Sequence, residues 1–448
     1  MRDFAIIVLA AGQGTRMRSS LPKVMHKAGG RSLIGHVLAA AGELAPQRTV
    51  VVTAPGMEDA ASEARRFMTD ASIAIQEKRQ GTAHAVSTAK PALLGFNGTI
   101  LVLYGDVPLI SAETMKMLAE SVTVATPLAV LAFKAADPTG YGRLILKSGR
   151  LTAIREELDA TATERKIDLC NSGFIAADSD LLWRLLPRIR NNNAKGEYYL
   201  TDLVELAVEE KIAVAHTICA EAEVHGVNTR GQLAGIEALL QAKYRNAALE
   251  GGATLIAPET VFFSADTRLG SDVVIEPHVV FGPEVTVGDN ATILAFSHIE
   301  GATIAEGARV GPFARLRPGA QIGEDVHIGN FVEVKKAVIE KGAKANHLAY
   351  IGDARIGAKS NIGAGTITCN YDGFEKHTTD IGRDVFVGSN AALVAPVKIG
   401  DGANIAAGSV ITRDVPPDAL AIARGQQAVR EGWSTRYRAM KRNRAKGE

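Results

Sequence analysis

Residues 9–23 read LAAGQGTRMRSSLPK, with glycines at 12 and 14 after an apolar run and two cations, Arg16 and Lys23, after the glycines. A glycine loop that follows a strand presents backbone N–H groups and lets phosphate oxygens come close, so phosphate binding is the chemistry this spacing supports. A dinucleotide fingerprint needs a third glycine where Met17 stands, and no Gly-Lys-Ser/Thr follows as in a P-loop. Ser19, Ser20 and Pro22 keep a helix from starting at once. Up to Gly14 the loop is therefore equally readable as a plain strand-to-helix turn.

A second set of polar residues lies in the C-terminal half: Arg315, Arg317, Lys335, His347, Tyr350, Asn361, Asn370, Tyr371 and Lys376. Cations and donors gathered in one portion of the chain suit a phosphorylated sugar. His347, if neutral near pH 7, can take a proton from an ammonium substrate and free the amine to attack a thioester. Cys369 offers the rival route through an acyl-enzyme, but no base is paired with it in the sequence, and it reads as a small packed residue. Asp106, in YGDVPL, ends an apolar run, where a lone carboxylate serves as a metal ligand or a cap.

These residues need elements to hold them. Over residues 1–228, the apolar runs FAIIVLA, RTVVVTA, ASIAIQ, GTILVLYG and PLAVLAF alternate with helical stretches such as SLIGHVLAAAGEL and AETMKMLAESV. That alternation predicts βαβ units around a mostly parallel sheet, with ligands at the carboxyl ends of the strands, where the 12–23 loop falls. Residues 229–252 read as a connecting helix with apolar positions at Leu233, Ile236, Leu239 and Leu240, closed by Gly251 and Gly252.

From 253 to 448 the period changes. An apolar residue recurs every sixth position at Ile275, Phe281, Val287, Ile293 and Ile299, then after a one-residue slip at Ile304, Val310, Leu316, Ile322, Ile328 and Val334, and again at Ile381, Val387, Leu393, Ile399, Ile405 and Ile411. Such a repeat predicts one short flat strand per six residues, stacked into a parallel β-helix. The rhythm breaks at residues 370–380, NYDGFEKHTTD, which predicts a loop leaving the solenoid on its binding face.

At 448 residues the chain has room for two or three domains. Fifty Lys+Arg against 49 Asp+Glu give a net charge of +1, so no bulk attraction to nucleic acid or membrane is expected. Cys170, Cys219 and Cys369 are far apart, without disulfide or zinc spacing, which fits a reducing compartment. The first apolar run is too short for a signal segment or a membrane span, so a cytoplasmic protein is expected. The end is basic: Arg430, Arg436, Arg438, Lys441, Arg442, Arg444 and Lys446 outnumber Glu431 and Glu448, and it reads as a solvated, partly disordered tail.

LAAGxGTRM followed shortly by PK resembles the signature of the sugar-1-phosphate nucleotidyltransferases. The resemblance implies that Leu9, Ala10, Ala11 and Gly12 wrap the nucleotide phosphates while Arg16 and Lys23 act catalytically on the triphosphate and the leaving pyrophosphate. Gln76, Gly81 and Thr82 would read uracil and enclose the nucleotide, with Tyr104 and Gly105 beside it. Asp106 and Asn228 would hold Mg²⁺, and Gly142, Glu156, Asn171 and Thr201 would take the sugar and its N-acetyl group.

From about residue 4 to 433, the chain resembles the bacterial family of fused N-acetylglucosamine-1-phosphate uridyltransferases and glucosamine-1-phosphate N-acetyltransferases. This implies a Rossmann-like nucleotidyltransferase domain, a connecting helix and a left-handed parallel β-helix. It further implies that Arg317, Lys335, Tyr350 and Asn361 bind the amino-sugar phosphate and that His347 is the general base. Ala364, Asn370, Tyr371, Ser389, Ala407 and Arg424 would contact acetyl-CoA. The implied substrates are UTP, glucosamine 1-phosphate, N-acetylglucosamine 1-phosphate and acetyl-CoA, and the implied assembly is a homotrimer with acetyltransfer sites between neighbouring β-helices. Gln13 and Thr229 depart from the commoner residues of the pattern.

Two other readings remain: a nucleotidyltransferase for another sugar 1-phosphate with a structural or regulatory β-helix, and a non-enzymatic relative of translation-initiation exchange factors. His347 and the Lys335 cluster weigh against the first, and the set Arg16, Lys23, Asp106 and Asn228 against the second.

Overall fold

Five of the apolar runs form the strands Phe4–Leu9, Arg48–Thr53, Ser72–Ile75, Thr99–Tyr104 and Leu128–Lys134. The computed structural model describes residues 3–445, and the chain divides into two compact units, Met1–Tyr244 and Arg245–Glu448. In the first unit, Phe4–Leu9 lies parallel between Arg48–Thr53 and Thr99–Tyr104, with Ile7 opposite both Val50 and Val102. Both faces of this strand are covered, which is why it reads as an unbroken apolar run instead of an alternating one. Ile7, Val50, Val102 and Val130 pack to one side, and Ile6, Val8, Val51 and Leu101 to the other.

Three strands depart from the βαβ expectation. Leu169–Asp178 runs antiparallel between Thr99–Tyr104 and Leu128–Lys134. Its register shifts between Asn171 and Ile175, so the polar Asn-Ser-Gly segment interrupts the apolar pattern and hides the strand from a periodicity search. The hairpin of Gly142–Lys147 with Arg150–Arg155 pairs onto its first residues, Gly142 opposite Asn171.

The helix Arg230–Glu250 carries the division between the units at residue 244. Its Ile236 and Leu240 are buried with Met17, Leu33 and Val227, whereas Leu239 faces solvent.

The second unit is a parallel β-helix. On one face, Val274, Thr292, Arg309 and His327 are successive partners. On the next, His298, Arg315, Glu333 and Tyr350 follow one another, and on the third Thr286, Thr303 and Gln321 do so. A turn takes 18 residues from Val274 to Thr292 but 17 from Thr292 to Arg309, which accounts for the slip in the hexad rhythm. The repeating aliphatic residues named above are all buried. Gly329 shows how tightly the coils stack, since a Cβ there would lie 1.9 Å from the Asn346 carbonyl oxygen. At one corner His278, Phe296, Phe313 and Phe331 adopt left-handed backbone angles and stack their rings with centroids 4.9, 4.9 and 5.1 Å apart.

The chain leaves the solenoid between Ile367–Cys369 and Thr379–Ile381, within the segment where the rhythm breaks. Asp372 organises this loop: Oδ1 accepts from the N–H groups of Phe374 and Glu375 at 2.8 and 2.7 Å, and Oδ2 pairs with His377 at 2.8 Å. These bonds hold the Asp372 carboxyl well below the usual range.

The basic end corrects the expectation of disorder, because Trp433–Arg444 is an exposed helix. Arg, Lys, Met and Ala are strong helix formers, and Trp433 stacks on Tyr437 with centroids 4.9 Å apart. Lys446 and Glu448 lie outside the described residues. No described helix is long and apolar enough to cross a membrane.

Candidate functional sites

At the carboxyl end of Phe4–Leu9, a cavity of about 650 Å³ is lined by Leu9, Ala10, Ala11, Gly12, Lys23, Gln76, Gly81, Thr82, Tyr104 and Asp106. Ten residues implied by the family signature thus meet in one place, although they come from four separate stretches of sequence. Gly14, at φ +63°, makes the fold of the loop possible: a Cβ there would come within 2.5 Å of Lys23 Cβ. Arg16 sits exposed on the short turn Thr15–Met17 and does not line the cavity. Gly105 donates its N–H to the Leu9 carbonyl at 3.0 Å, tying the Tyr-Gly-Asp segment to the end of the neighbouring strand.

Lys23, Asp106 and Asn228 converge. The Lys23 ammonium pairs with Asp106 Oδ2 and donates to Asn228 Oδ1 at 3.1 Å. Val227 donates to the Asp106 carbonyl at 3.0 Å, so the two donors are also joined through backbone. Asn228 is fixed by a reciprocal cap on the helix Arg230–Glu250. Gln232 Oε1 accepts from Asn228 N–H at 2.8 Å and Thr229 N–H at 3.1 Å, and Gln232 N–H donates to Thr229 Oγ1 at 3.2 Å. One carboxylate and one carboxamide oxygen already gather a cation in the structure; hard oxygens, few in number, fit a divalent ion that keeps water and phosphate ligands.

Gly142, Glu156, Asn171 and Thr201 form a second group, joined to the cavity through Tyr104, whose phenol feels the Glu156 carboxylate. Gly142 pairs with Asn171, and Thr201 Oγ1 donates to Glu156 Oε1 at 3.4 Å. Burial pushes the Glu156 carboxyl up, and burial together with Glu156 and Asp106 pushes the Tyr104 phenol up, so both stay protonated more readily than in water. Arg79 and Glu197 also line the cavity without having been singled out from sequence. Arg79 Nε donates to the Ala11 carbonyl at 2.6 Å. Its cation lies between Gln76 and Gly81 in the chain, and that position was its one available signal.

In the β-helix the polar residues form two groups. Arg317 Nη1 donates to Glu333 Oε1 at 2.8 Å, a bond that raises the guanidinium's pKa, and Glu333 is the register partner of Tyr350. The neighbouring Lys335 ammonium pushes the Lys376 amine down, while Asp353 and Tyr350 act the other way. Asn370 Nδ2 donates to Asp353 Oδ2, bringing the base of the loop to the same corner. Tyr371 bridges to Lys376 within that loop.

His347 is elsewhere, at the end of Lys344–His347 on the preceding face. Lys335 and Tyr350 lie on strands of the neighbouring face, so a corner of the coil stands between them and His347. Asn330 Oδ1 faces His347 Nδ1 at 2.7 Å; with the proton on Nδ1, Nε2 keeps its lone pair. Asn330 escaped the sequence reading, and its signal was only that it stands one coil before His347. Asn361 lies on the same face, in register with Lys344. Ala364, Ser389 and Ala407 continue the His347 corner through successive coils: Asn390 N–H donates to the Ala364 carbonyl at 2.7 Å, Gly408 N–H to the Ser389 carbonyl at 2.8 Å, and Arg424 Nη1 to the Ala407 carbonyl at 2.8 Å.

The first unit thus has the architecture of a nucleotidyltransferase and the second that of a hexapeptide-repeat transferase. Residues 6–168 match the MobA-like NTP transferase domain, and residues 266–301, 301–336 and 378–413 match the bacterial transferase hexapeptide (six repeats). The chain is 54% identical over 440 residues to the "Bifunctional protein GlmU" of Nitrobacter hamburgensis, covering 98% of this chain and 97% of that one. It is 56% identical over 437 residues to the protein of the same name from Paramagnetospirillum magneticum, with 97% and 96% covered. The chain belongs to the bifunctional GlmU family.

Proposed function

We propose that the two sites above carry the two half-reactions of this enzyme, with the roles assigned as follows. The enzyme makes UDP-N-acetylglucosamine: it N-acetylates glucosamine 1-phosphate from acetyl-CoA and then couples the product to UTP with release of pyrophosphate. The observation that carries the uridyltransfer assignment is the meeting of Lys23, Asp106 and Asn228 at the mouth of the glycine loop.

In uridyltransfer, the backbone of residues 9–12 cradles the triphosphate, Gln76 and Gly81 meet the base, and Glu156, Asn171, Gly142 and Thr201 orient the N-acetyl sugar. The sugar phosphate oxygen attacks the α-phosphorus in line with the departing pyrophosphate, and Lys23 and Arg16 balance the charge that accumulates there. Asp106 and Asn228 would hold Mg²⁺, whose charge would add to that of Lys23 and Arg16 in stabilising the phosphoryl oxygens. Lys23 bonds to these same two oxygens, and with them given to an ion its ammonium would be free for the phosphates.

In acetyltransfer, Arg317, Lys335, Tyr350 and Asn361 bind the amino-sugar phosphate, and His347 Nε2 removes the ammonium proton. The amine then attacks the thioester carbonyl, the C–S bond breaks, and the proton that the nitrogen sheds on becoming an amide passes to the departing thiolate, so that CoA leaves as its thiol and His347 returns its proton to water. Acetyl-CoA lies along Ala364, Ser389, Ala407 and Arg424, with Asn370 and Tyr371 at its reactive end. The placement of His347 and Lys335 on different faces of the β-helix is compatible with a site shared between chains, as in a trimer.

Incubating the protein with glucosamine 1-phosphate, acetyl-CoA, UTP and Mg²⁺, omitting one component at a time, tests the whole reading. D106A should abolish uridyltransfer and keep acetyltransfer, and H347A the converse; retention of the targeted activity would overturn that assignment.

A further inference from the structure

Gln76 is 4% exposed and lines the nucleotide cavity. Its amide nitrogen makes two bonds, to the Gly81 carbonyl oxygen at 3.2 Å and to His84 Nδ1 at 3.0 Å. A carbonyl oxygen only accepts, so the amide atom facing Gly81 has to be the nitrogen. The second bond then requires His84 Nδ1 to accept, which makes the ring neutral with its proton on Nε2. Both amide hydrogens are used inside the protein, and only Oε1 remains to meet a ligand.

His84 is held for this purpose by the start of the helix Thr82–Ala89. Ala83 N–H donates to the Tyr198 carbonyl at 3.0 Å, and Thr82 Oγ1 accepts from Leu200 N–H at 3.0 Å. Gly81, at φ +111°, lies so close to Tyr198 that a Cβ would come within 2.5 Å of its carbonyl oxygen. The ring also borders a separate cavity of about 300 Å³ with Trp183, Lys90 and Tyr198.

We propose that His84 is the positioning residue that sets base specificity: by accepting from Gln76 Nε2 it locks the amide so that only the oxygen faces the base. An oxygen there accepts from the N3–H of uracil and opposes the N3 lone pair of cytosine, which could reach it only through the 4-amino group in a shifted position. Losing one of the two bonds that oppose an amide flip relaxes this choice. The inference rests on the reading that Gln76 meets the base.

The test is the ratio of kcat/KM for UTP to that for CTP, measured on the full-length enzyme with N-acetylglucosamine 1-phosphate. His84→Phe, which offers no acceptor, should lower the ratio roughly tenfold, mainly through KM for UTP, with kcat at saturating UTP little changed. His84→Asn, whose Oδ1 stands near the place of Nδ1, should restore most of it. Should His84→Phe lose uridyltransfer at saturating UTP, the ratio is read from His84→Ala. An unchanged ratio in the variant without an acceptor, or a fall in His84→Asn equal to that in His84→Phe, would overturn the proposal. Gln76→Ala separates the two readings: a ratio unaffected by it removes Gln76 as base reader and His84 with it. A ratio that collapses in Gln76→Ala but not in His84→Phe removes His84 alone.

Discussion

Lys23 bonds to the same two oxygens that we assign to the metal, so its removal has two effects of opposite sign. The K23A enzyme should bind Mg²⁺ at least as well, because a competing cation is gone. Its uridyltransfer kcat should nevertheless fall roughly 10²- to 10³-fold through lost charge stabilisation, with acetyltransfer unchanged. Metal titrations of both activities check this. Asp202 offers a prediction about stability: burial, with Glu205 and Glu156 nearby, pushes its carboxyl up to about 6. A carboxyl raised on folding binds its proton more tightly in the native state, so stability falls as pH rises from about 4 to about 6, and the full cost persists above that. Asp202→Asn should therefore raise the melting temperature at pH 7 and lose that advantage as the pH approaches 4. Among these residues, Lys23 is legible because a long motif with restrictive spacing carries it, and Asp106 because it is a lone carboxylate at the end of an apolar run. Asn330 and Arg79 are not, since each acts through a partner or a backbone carbonyl one coil or many residues away, and His84 is not, since its bond to Gln76 depends on how the segment between them folds back.

The helix Arg230–Glu250 reads in sequence as a connector, but its first turn also holds Asn228, which we assign to the metal. Gln232 holds the N–H groups of Asn228 and Thr229 and so sets where the Asn228 side chain begins. Gln232→Ala removes both acceptor bonds; we expect the Mg²⁺ concentration for half-maximal uridyltransfer to rise several-fold, a shift measured in the same titration, and helix stability to fall by about 1 kcal/mol. The capping pattern Thr-x-x-Gln was visible in the sequence, whereas its attachment to Asp106 through Val227 depends on a tertiary hydrogen bond. The sheet shows the same division. Buried parallel strands declare themselves as apolar runs, while Leu169–Asp178, with its register shift and antiparallel course, does not. In the β-helix the hexad rhythm made nearly the whole element legible, because every coil must put an aliphatic side chain inward. The basic end differs from expectation for a converse reason: composition announces its charge, whereas its helix rests on local propensity and the Trp433–Tyr437 stack.

For the whole molecule, the decisive question is which chains build one acetyltransfer site. His347 and the Lys335 group occupy different faces of the same coil region, so two inactive variants can repair one another if sites form between chains. Mixing H347A and K335A chains by co-expression should restore a fraction of acetyltransfer, and separate expression should restore none. Persistent inactivity of the mixture, with mixed oligomers shown by mass spectrometry, would place each site within one chain. The corner that runs from His347 through Ala364, Ser389 and Ala407 to Arg424 advances by one coil at each step, and neighbouring strands are about 4.8 Å apart. The solenoid is therefore a ruler graduated in whole coils: it can lengthen or shorten the span between a base and a distant cation only in steps of about 4.8 Å. Excising one complete coil between His347 and Arg424 would preserve the fold's repeat while leaving a ligand of fixed length one graduation too long.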